Sequence, residues 1–142
     1  MKIAVINGPN LNMLGIREKE HYGAFTLEEL EKKLTKEAGS DVQLSFMQSN
    51  HEGNLIDYIQ NLPKEKINAF IFNPGAFTHT SLAIRDAVLS VKIPFIEVHI
   101  SNIYAREEFR KKSYFSDIAE GIIAGLGMKG YLLALNYFKD NM

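Results

Sequence analysis

Short apolar runs alternate along the chain with segments whose apolar residues recur at helical spacing. The runs have the length of β-strands, and the periodic segments have the length of helices. The pattern predicts five strands, which are Lys2–Asn7, Val42–Gln48, Ala69–Asn73, Pro94–Ile100 and Ile118–Gly125. It also predicts four helices, which are a segment capped by the Thr26 capping box and closed by Gly39, Glu52–Leu62, Thr80–Ser90 and a segment from Met128 to Lys139.

This alternation determines the predicted fold class. Strands that alternate with helices form βαβ units, in which a parallel sheet is covered by helices on both faces. We therefore predict an α/β, flavodoxin-like three-layer sandwich with a five-stranded parallel sheet in the order 2-1-3-4-5. The 142 residues fit one domain, 1–142. In such sheets ligands bind beyond the carboxyl ends of the strands, so the chemistry should follow strands 1, 3 and 4.

Composition narrows the classes of partner and site. A formal net charge of −1 provides no bulk positive field for nucleic acid or an anionic membrane. The absence of cysteine excludes disulfides, thiolate nucleophiles and cysteine-based metal sites, and it suits a reducing compartment. The apolar runs are shorter than the roughly 18 residues of a membrane span, and the first is too short for a signal peptide. We expect a cytoplasmic protein that binds neither nucleic acid nor membranes.

A long connection separates the first strand from the first helix. It has about 18 residues, whereas loops between strands and helices usually have 2–6, and longer ones tend to be lids or binding loops. Asn10, Arg17 and Tyr22 lie on it. We interpret the connection as a lid, with a surface excursion as the alternative.

Polar residues also follow the third strand. Gly75 permits a tight turn after Asn73, and the backbone N–H groups that follow lie near the start of a helix, where they could bind an anion. Alternatively, Thr78 or Thr80 caps the helix and His79 is an exposed bystander. The segment by itself favours neither interpretation.

The fourth strand contains an unusual pair of polar residues. Its period of two places Glu97, His99 and Ser101 on one face. A buried parallel strand is normally apolar, and a carboxylate there is costly unless it is paired. Pairing would fix the imidazole tautomer and favour its protonated form, so His99 could donate a proton near neutral pH. A purely structural Glu–His pair is the alternative.

Two further patterns carry less information. Arg106 and Arg110 would share a face if Ala105–Lys111 were helical, although charged runs of this kind are usually solvated. The segment from Gly125 to Gly130 matches G-x-G-x-x-G, but too little chain follows it to complete a dinucleotide-binding unit. We interpret these glycines as a tight turn with close helix–sheet packing.

The motifs occur together in the order and with the gaps of a known family. The chain resembles the type II 3-dehydroquinate dehydratases over nearly its whole length. The resemblance is carried by Asn7–Asn12, Arg17, Tyr22-Gly23, Gln48–Gly53, Asn73-Pro74-Gly75, Thr78–Ser81, Glu97–Asn102, Arg106–Arg110, Gly125-Leu126-Gly127 and Gly130-Tyr131.

The resemblance implies a lyase of the shikimate pathway. Such an enzyme eliminates water from 3-dehydroquinate, through an enolate, to give 3-dehydroshikimate without a metal or organic cofactor. By position, Tyr22 would be the base that removes the proton beside the ketone. Arg17 and Arg106 would favour its phenolate, and Asn10 would hold a water against the enolate. His99 would protonate the departing hydroxyl.

The resemblance also assigns binding residues and an assembly. Glu97 would orient the acid, and Ser101 together with the backbone of Ile100 would hold the substrate carboxylate. Asp86 matches a residue that reaches into the neighbouring subunit's site. The family forms trimers grouped into dodecamers, so we expect a homododecamer. The full set of expected substrate-binding residues is Asn73, His79, Asp86, Ile100, Ser101 and Arg110.

Two rival functions remain open from the residues themselves. One is a non-catalytic flavodoxin-like module that binds a small anion. A flavin module would carry a Ser/Thr/Gly-rich loop after strand 1 and a receiver would carry clustered aspartates, whereas this chain has Gly8–Asn12 there. The other is a metal-dependent lyase or hydrolase that uses His51, His79, His99 and Glu97, although no H-x-x-x-H spacing is present.

Overall fold

The computed structural model describes residues 1–16 and 24–142, so the predictions for Arg17 and Tyr22 fall outside the described residues. Five strands pair in parallel in the order β2-β1-β3-β4-β5, which confirms the predicted topology. The strands are β1 Lys2–Asn7, β2 Gln43–Gln48, β3 Ala69–Asn73, β4 Phe95–His99 and β5 Gly121–Ala124. The α-helices are α1 Leu27–Ala38, α2 Glu52–Asn61, α3 Leu82–Val91 and α4 Met128–Asn141. None of these described helices is long and apolar enough to cross a membrane.

Two apolar cores lie on opposite faces of the sheet. Alternation along β1 sends Ile3 and Val5 to one core and Ala4 and Ile6 to the other, and all four are fully buried. Helices α1 and α4 cover the first core, and α2 and α3 cover the second. The predicted three-layer sandwich is therefore confirmed.

The beginning of α1 follows the sequence prediction. The Thr26 hydroxyl accepts a hydrogen bond from the Glu29 backbone N–H at 3.1 Å, and the Thr26 N–H donates to the Glu29 carboxylate at 3.2 Å. This reciprocal capping box satisfies two N–H groups that the first turn leaves without helical partners. Gly39 follows the last residue of the helix with a φ of 66°.

The beginning of α3 differs from the sequence prediction. Neither Thr78 nor Thr80 caps the helix, because the Ser81 hydroxyl accepts the Ile84 N–H at 3.0 Å. Gly75–His79 instead forms a short 3₁₀ turn before the helix. The backbone N–H groups after Gly75 therefore belong to this turn and not to the first turn of an α-helix, and the α-helix begins at Leu82 rather than at the predicted Thr80.

The arginine segment is also not the predicted helix. Two 3₁₀ turns, Ile103–Ala105 and Glu108–Arg110, replace a continuous helix over 105–111. Arg106 lies between them with extended backbone, at a φ of −105° and a ψ of −159°. Arg106 and Arg110 are therefore brought together by two turns rather than by helical spacing.

Close backbone approaches fix two turns. A Cβ on Gly8 would lie 2.2 Å from the Pro74 carbonyl oxygen, and Gly75 has a φ of +60°. Only glycine at position 8 lets the loops after β1 and β3 touch, and this contact forms one wall of the site. A Cβ on Gly130 would meet Ile123 at 3.2 Å, which confirms the predicted close packing of helix on sheet.

Candidate active site

A cleft opens at the carboxyl ends of β1, β3 and β4, where the fold predicted it. A larger cavity lies beside the edge strand β2, but it contains no histidine and none of the predicted site residues. The cleft brings together eight of the predicted residues, so chemistry and not size identifies it as the site. These residues are Asn10, Asn73, His79, His99, Ile100, Ser101, Arg106 and Arg110.

A buried carboxylate–imidazole pair lies at the cleft. The Glu97 side chain is fully buried and that of His99 is nearly so, and His99 Nε2 lies 2.6 Å from Glu97 Oε1. Because an ionised carboxylate can only accept, Nε2 carries a proton and donates it in this contact. The second ring nitrogen, Nδ1, is therefore the one that can serve the cleft, which His99 lines.

Two serines that the sequence reasoning missed also contact Glu97. The Ser113 hydroxyl donates to Oε1 at 2.8 Å, and the Ser116 hydroxyl donates to Oε2 at 2.6 Å. Burial is the largest influence on the Glu97 carboxyl and opposes its ionisation. The hydrogen bonds from His99 and both serines, with the charge of His99, outweigh burial and hold the pKa of Glu97 below its usual value.

His79 presents a fixed tautomer to the cleft. Its Nδ1 lies 2.7 Å from the backbone carbonyl oxygen of Lys112, which can only accept, so Nδ1 is the donor. Burial is the main influence on the pKa of His79 and lowers it, and the nearby charges of His99 and Arg110 lower it further. The hydrogen bond to Lys112 and the charge of Glu97 act in the opposite direction but do not outweigh them. A neutral ring protonated at Nδ1 offers Nε2 as an acceptor, which suits a hydroxyl group of a ligand.

Two guanidinium groups give the cleft positive charge. The Arg106 side chain is 8% exposed, and its terminal nitrogen donates to the Ser101 hydroxyl at 3.4 Å. Arg110 donates to the Glu107 carboxylate at 2.7 Å while it lines the cleft. Arginine forks match carboxylates in geometry and charge, so this cleft suits a small anionic ligand.

A buried polar network orients Asn73. Its Oδ1 accepts the Gly75 N–H at 3.1 Å, and its Nδ2 donates to the Tyr131 hydroxyl at 2.8 Å. The Tyr131 hydroxyl donates in turn to Asn7 Oδ1 at 2.6 Å. Burial raises the pKa of Tyr131, which keeps it a neutral phenol able to donate and accept together. These contacts fix which end of the Asn73 amide is nitrogen and leave its second N–H for the cleft.

Replacing Tyr131 with phenylalanine should destabilise the fold. The change leaves the amide groups of Asn7 and Asn73 without their shared partner, and a buried polar group without a partner costs about 1–3 kcal/mol. The urea midpoint should therefore fall clearly below that of the unaltered protein. Tyr137→Phe is the matched control, because the Tyr137 side chain is exposed. Equal midpoints for the two variants would contradict the role of the network.

Asn10 lies at the mouth of the cleft in a left-handed conformation with a φ of 67°. Its backbone N–H donates to Asn50 Oδ1 at 2.9 Å, and Gln48 Nε2 donates to the same oxygen at 3.1 Å. Asn50 and Gln48 belong to the segment Gln48–Gly53, which carries part of the family resemblance, but their part in holding Asn10 was not predicted.

Four predicted residues are not among those that line the cleft in the described part of the chain. Glu97 lies buried behind His99, and Asp86 is exposed on α3 away from the cleft. Arg17 and Tyr22 fall outside the described residues. Among residues 1–16 and 24–142, no group of three or more histidine, cysteine, aspartate or glutamate side chains is placed to hold a metal ion.

Comparison with known proteins identifies the family. Residues 1–139 match the family model described as dehydroquinase class II. The chain belongs to the class II dehydroquinases. A 3-dehydroquinate dehydratase of Polynucleobacter asymbioticus is 59% identical over 134 residues, which cover 94% of this chain and 90% of the relative.

Solved structures of class II dehydroquinases agree with this family assignment. The type II dehydroquinase of Butyrivibrio crossotus is 48% identical and superposes with a TM-score of 0.95, covering 98% of this chain and 97% of that one. The type II dehydroquinase of Propionibacterium acnes is 41% identical with a TM-score of 0.90, covering 99% and 97%.

Proposed function

We propose that this class II dehydroquinase eliminates water from 3-dehydroquinate to give 3-dehydroshikimate, a step of the shikimate pathway. The observation that carries the proposal is the buried Glu97–His99 pair beside an arginine-lined cleft in a chain of this family. The names of relatives at 57–59% identity, 3-dehydroquinate dehydratase, point to the same reaction.

The proposed first step is proton removal beside the ketone by Tyr22. A phenol with a pKa near 10 is only about one part in a thousand ionised at pH 7, so the base needs cationic neighbours. Arg106 lines the cleft with its guanidinium largely buried, and Arg17 precedes Tyr22 in the chain. Positive charge from these two arginines would favour the phenolate.

The proposed intermediate is an enolate. Its oxygen needs a donor that is in place before the charge develops, and a water held by Asn10 would supply one. The unusual backbone of Asn10 and its contact with Asn50 support this placement, because they fix where the Asn10 side chain begins.

The proposed second step is loss of the hydroxyl group with a proton from His99. The enolate electrons re-form the ketone and the new carbon–carbon double bond as the carbon–oxygen bond breaks, and the oxygen leaves as water. To give a proton from Nδ1, the ring must first carry protons on both nitrogens, and the Glu97 carboxylate compensates the resulting positive charge. Afterwards the proton held by Tyr22 returns through solvent to reset the pair.

The proposed substrate contacts use the rest of the cleft. Ser101 and the backbone of Ile100 would hold the carboxylate, next to the Arg106 guanidinium that donates to Ser101. Asn73, His79 and Arg110 would hold the ring hydroxyls. The acceptor nitrogen of His79 and the remaining Asn73 N–H support this division, since a hydroxyl can pair with either.

Product identification tests the proposed function. The protein, dialysed against chelator, would be incubated with 3-dehydroquinate, and the mixture would be analysed by proton NMR and mass spectrometry. We expect a new vinyl proton and a mass lower by one water. Saturable binding of the substrate without a new product would instead favour an anion-binding module, and activity that chelator abolishes would favour a metal-dependent enzyme.

We also propose that the enzyme is a cytoplasmic homododecamer built from trimers. The exposed position of Asp86 outside its own chain's cleft supports a contact with a neighbouring subunit's site. The mass from sedimentation equilibrium should be twelve times that of the chain. Asp86→Asn should raise the KM for 3-dehydroquinate. A monomer with full activity would contradict the assembly.

A further inference from the structure

The Glu97 carboxylate is held by more groups than the proposed mechanism uses. Both of its oxygens accept hydrogen bonds: Oε1 from His99 and Ser113, and Oε2 from Ser116. Glu97 is fully buried, so these three groups replace the water that would otherwise solvate the charge. The two serines come from a segment 16 and 19 residues further along the chain. We call Ser113 and Ser116 the serine clamp.

The serine clamp is itself held in one orientation. The Ser113 oxygen accepts the N–H groups of Phe115 and Ser116 at 3.0 and 3.2 Å. Its own proton is therefore left to point at Glu97. Phe115, between the two serines, is fully buried and packs edge-on against Phe72 with ring centres 5.2 Å apart.

Three more contacts tie this segment to the rest of the structure. The Tyr114 N–H donates to the Thr78 carbonyl oxygen at 2.9 Å, beside His79. Arg85 of α3 donates to the Tyr114 carbonyl oxygen at 2.7 Å and pairs through both terminal nitrogens with the Asp117 carboxylate. These contacts therefore hold the serine clamp in a fixed position around the Glu97 carboxylate.

We infer that Ser113 and Ser116 are positioning residues that keep Glu97 ionised and in one orientation, so that it holds His99 Nε2 and leaves Nδ1 for the cleft. The kinetic part of this inference rests on the proposed dehydratase function. Ser116 is the better residue to replace. Its hydroxyl donates to Glu97, whereas the Ser113 oxygen also accepts two backbone hydrogen bonds within the turn, which its replacement would remove as well.

Ser116→Ala should make Glu97 easier to protonate. Glu97 has a depressed pKa, so loss of a donor moves its protonation to higher pH. A hydrogen bond to a charged group is strong enough to account for a shift of about one pH unit. The shift would be measured by carbon-13 NMR of labelled glutamate carboxyl groups, with the Glu97 signal assigned from its loss in Glu97→Gln. The ratio of the variant's kcat to that of the unaltered protein should fall as the pH drops through the range in which Glu97 becomes protonated, with KM changed less than about twofold.

Two further variants serve as controls. Ser40→Ala also removes a serine hydroxyl that donates to a carboxylate, that of Asp41, but on the exposed surface. It should leave the Glu97 titration and the pH profile unchanged. Ser116→Thr retains a hydroxyl and should restore most of the unaltered behaviour.

The outcomes separate the two claims. An unchanged Glu97 titration in folded Ser116→Ala would overturn the serine clamp, and so would a shifted titration with a kcat ratio that does not change with pH. If the unaltered protein does not convert 3-dehydroquinate, the proposed function fails, while the NMR titration still shows whether the serines hold Glu97 ionised.

Discussion

Tyr22→Phe should lower kcat by about 10²- to 10⁴-fold, the range expected when a general base is removed. The variant loses one oxygen atom, and with it the only group proposed to take the proton beside the ketone. The ring remains, so substrate binding and folding should change little. The measurements are kcat and KM with 3-dehydroquinate, together with the thermal unfolding midpoint as a check on the fold.

Tyr137→Phe is a suitable control for this experiment. It removes the same oxygen atom from an exposed tyrosine of α4 and should retain full activity. Substantial turnover by folded Tyr22→Phe would reject the proposed base. The positive charge of the cleft arginines would then be assigned to binding the carboxylate of the substrate.

His99→Gln should lower kcat by about 10²- to 10⁴-fold. Glutamine is similar in length and can still donate to Glu97, but its amide cannot release a proton to a departing hydroxyl. Removing one partner of a buried ion pair can also destabilise a protein by about 3–5 kcal/mol, so the amide is chosen over alanine to limit that cost. KM should stay close to its unaltered value, because the role proposed for His99 belongs to the bond-breaking step.

His51→Gln provides the matched control for the acid. His51 is exposed at the start of α2 and makes no side-chain capping bond there. The His51→Gln substitution should leave kcat unchanged. In a metal-dependent enzyme that uses both histidines, either substitution would lower kcat. A folded His99→Gln variant with nearly full kcat would contradict the role of His99 as the acid.

The fold was predictable where local sequence carries the signal. The Thr26 capping box and the apolar run of β1 depend on neighbouring residues, and both were predicted correctly. The start of α3 was not, because Thr78, Thr80 and Ser81 are all suitable caps by residue type. The choice depends on the turn after Gly75, which a contact with Gly8 from another loop constrains.

The site was predictable where its residues stand out from their surroundings. Glu97 and His99 are polar residues in an otherwise apolar buried strand, so their pairing followed from strand periodicity. Ser113, Ser116 and Tyr131 gave no such signal, because serine and tyrosine are common on surfaces and their contacts form only in the folded chain. Arg106 and Arg110 do line the cleft, although the helical reason first considered for grouping them was wrong.

The most direct test is a continuous assay of the elimination. Purified protein, dialysed against chelator, would be mixed with 3-dehydroquinate while near-ultraviolet absorbance is followed for the conjugated enone product, in parallel with Tyr22→Phe. A prompt rise that chelator does not reduce and that Tyr22→Phe lacks is the predicted result. No rise from folded, unaltered protein would contradict the proposed dehydratase function.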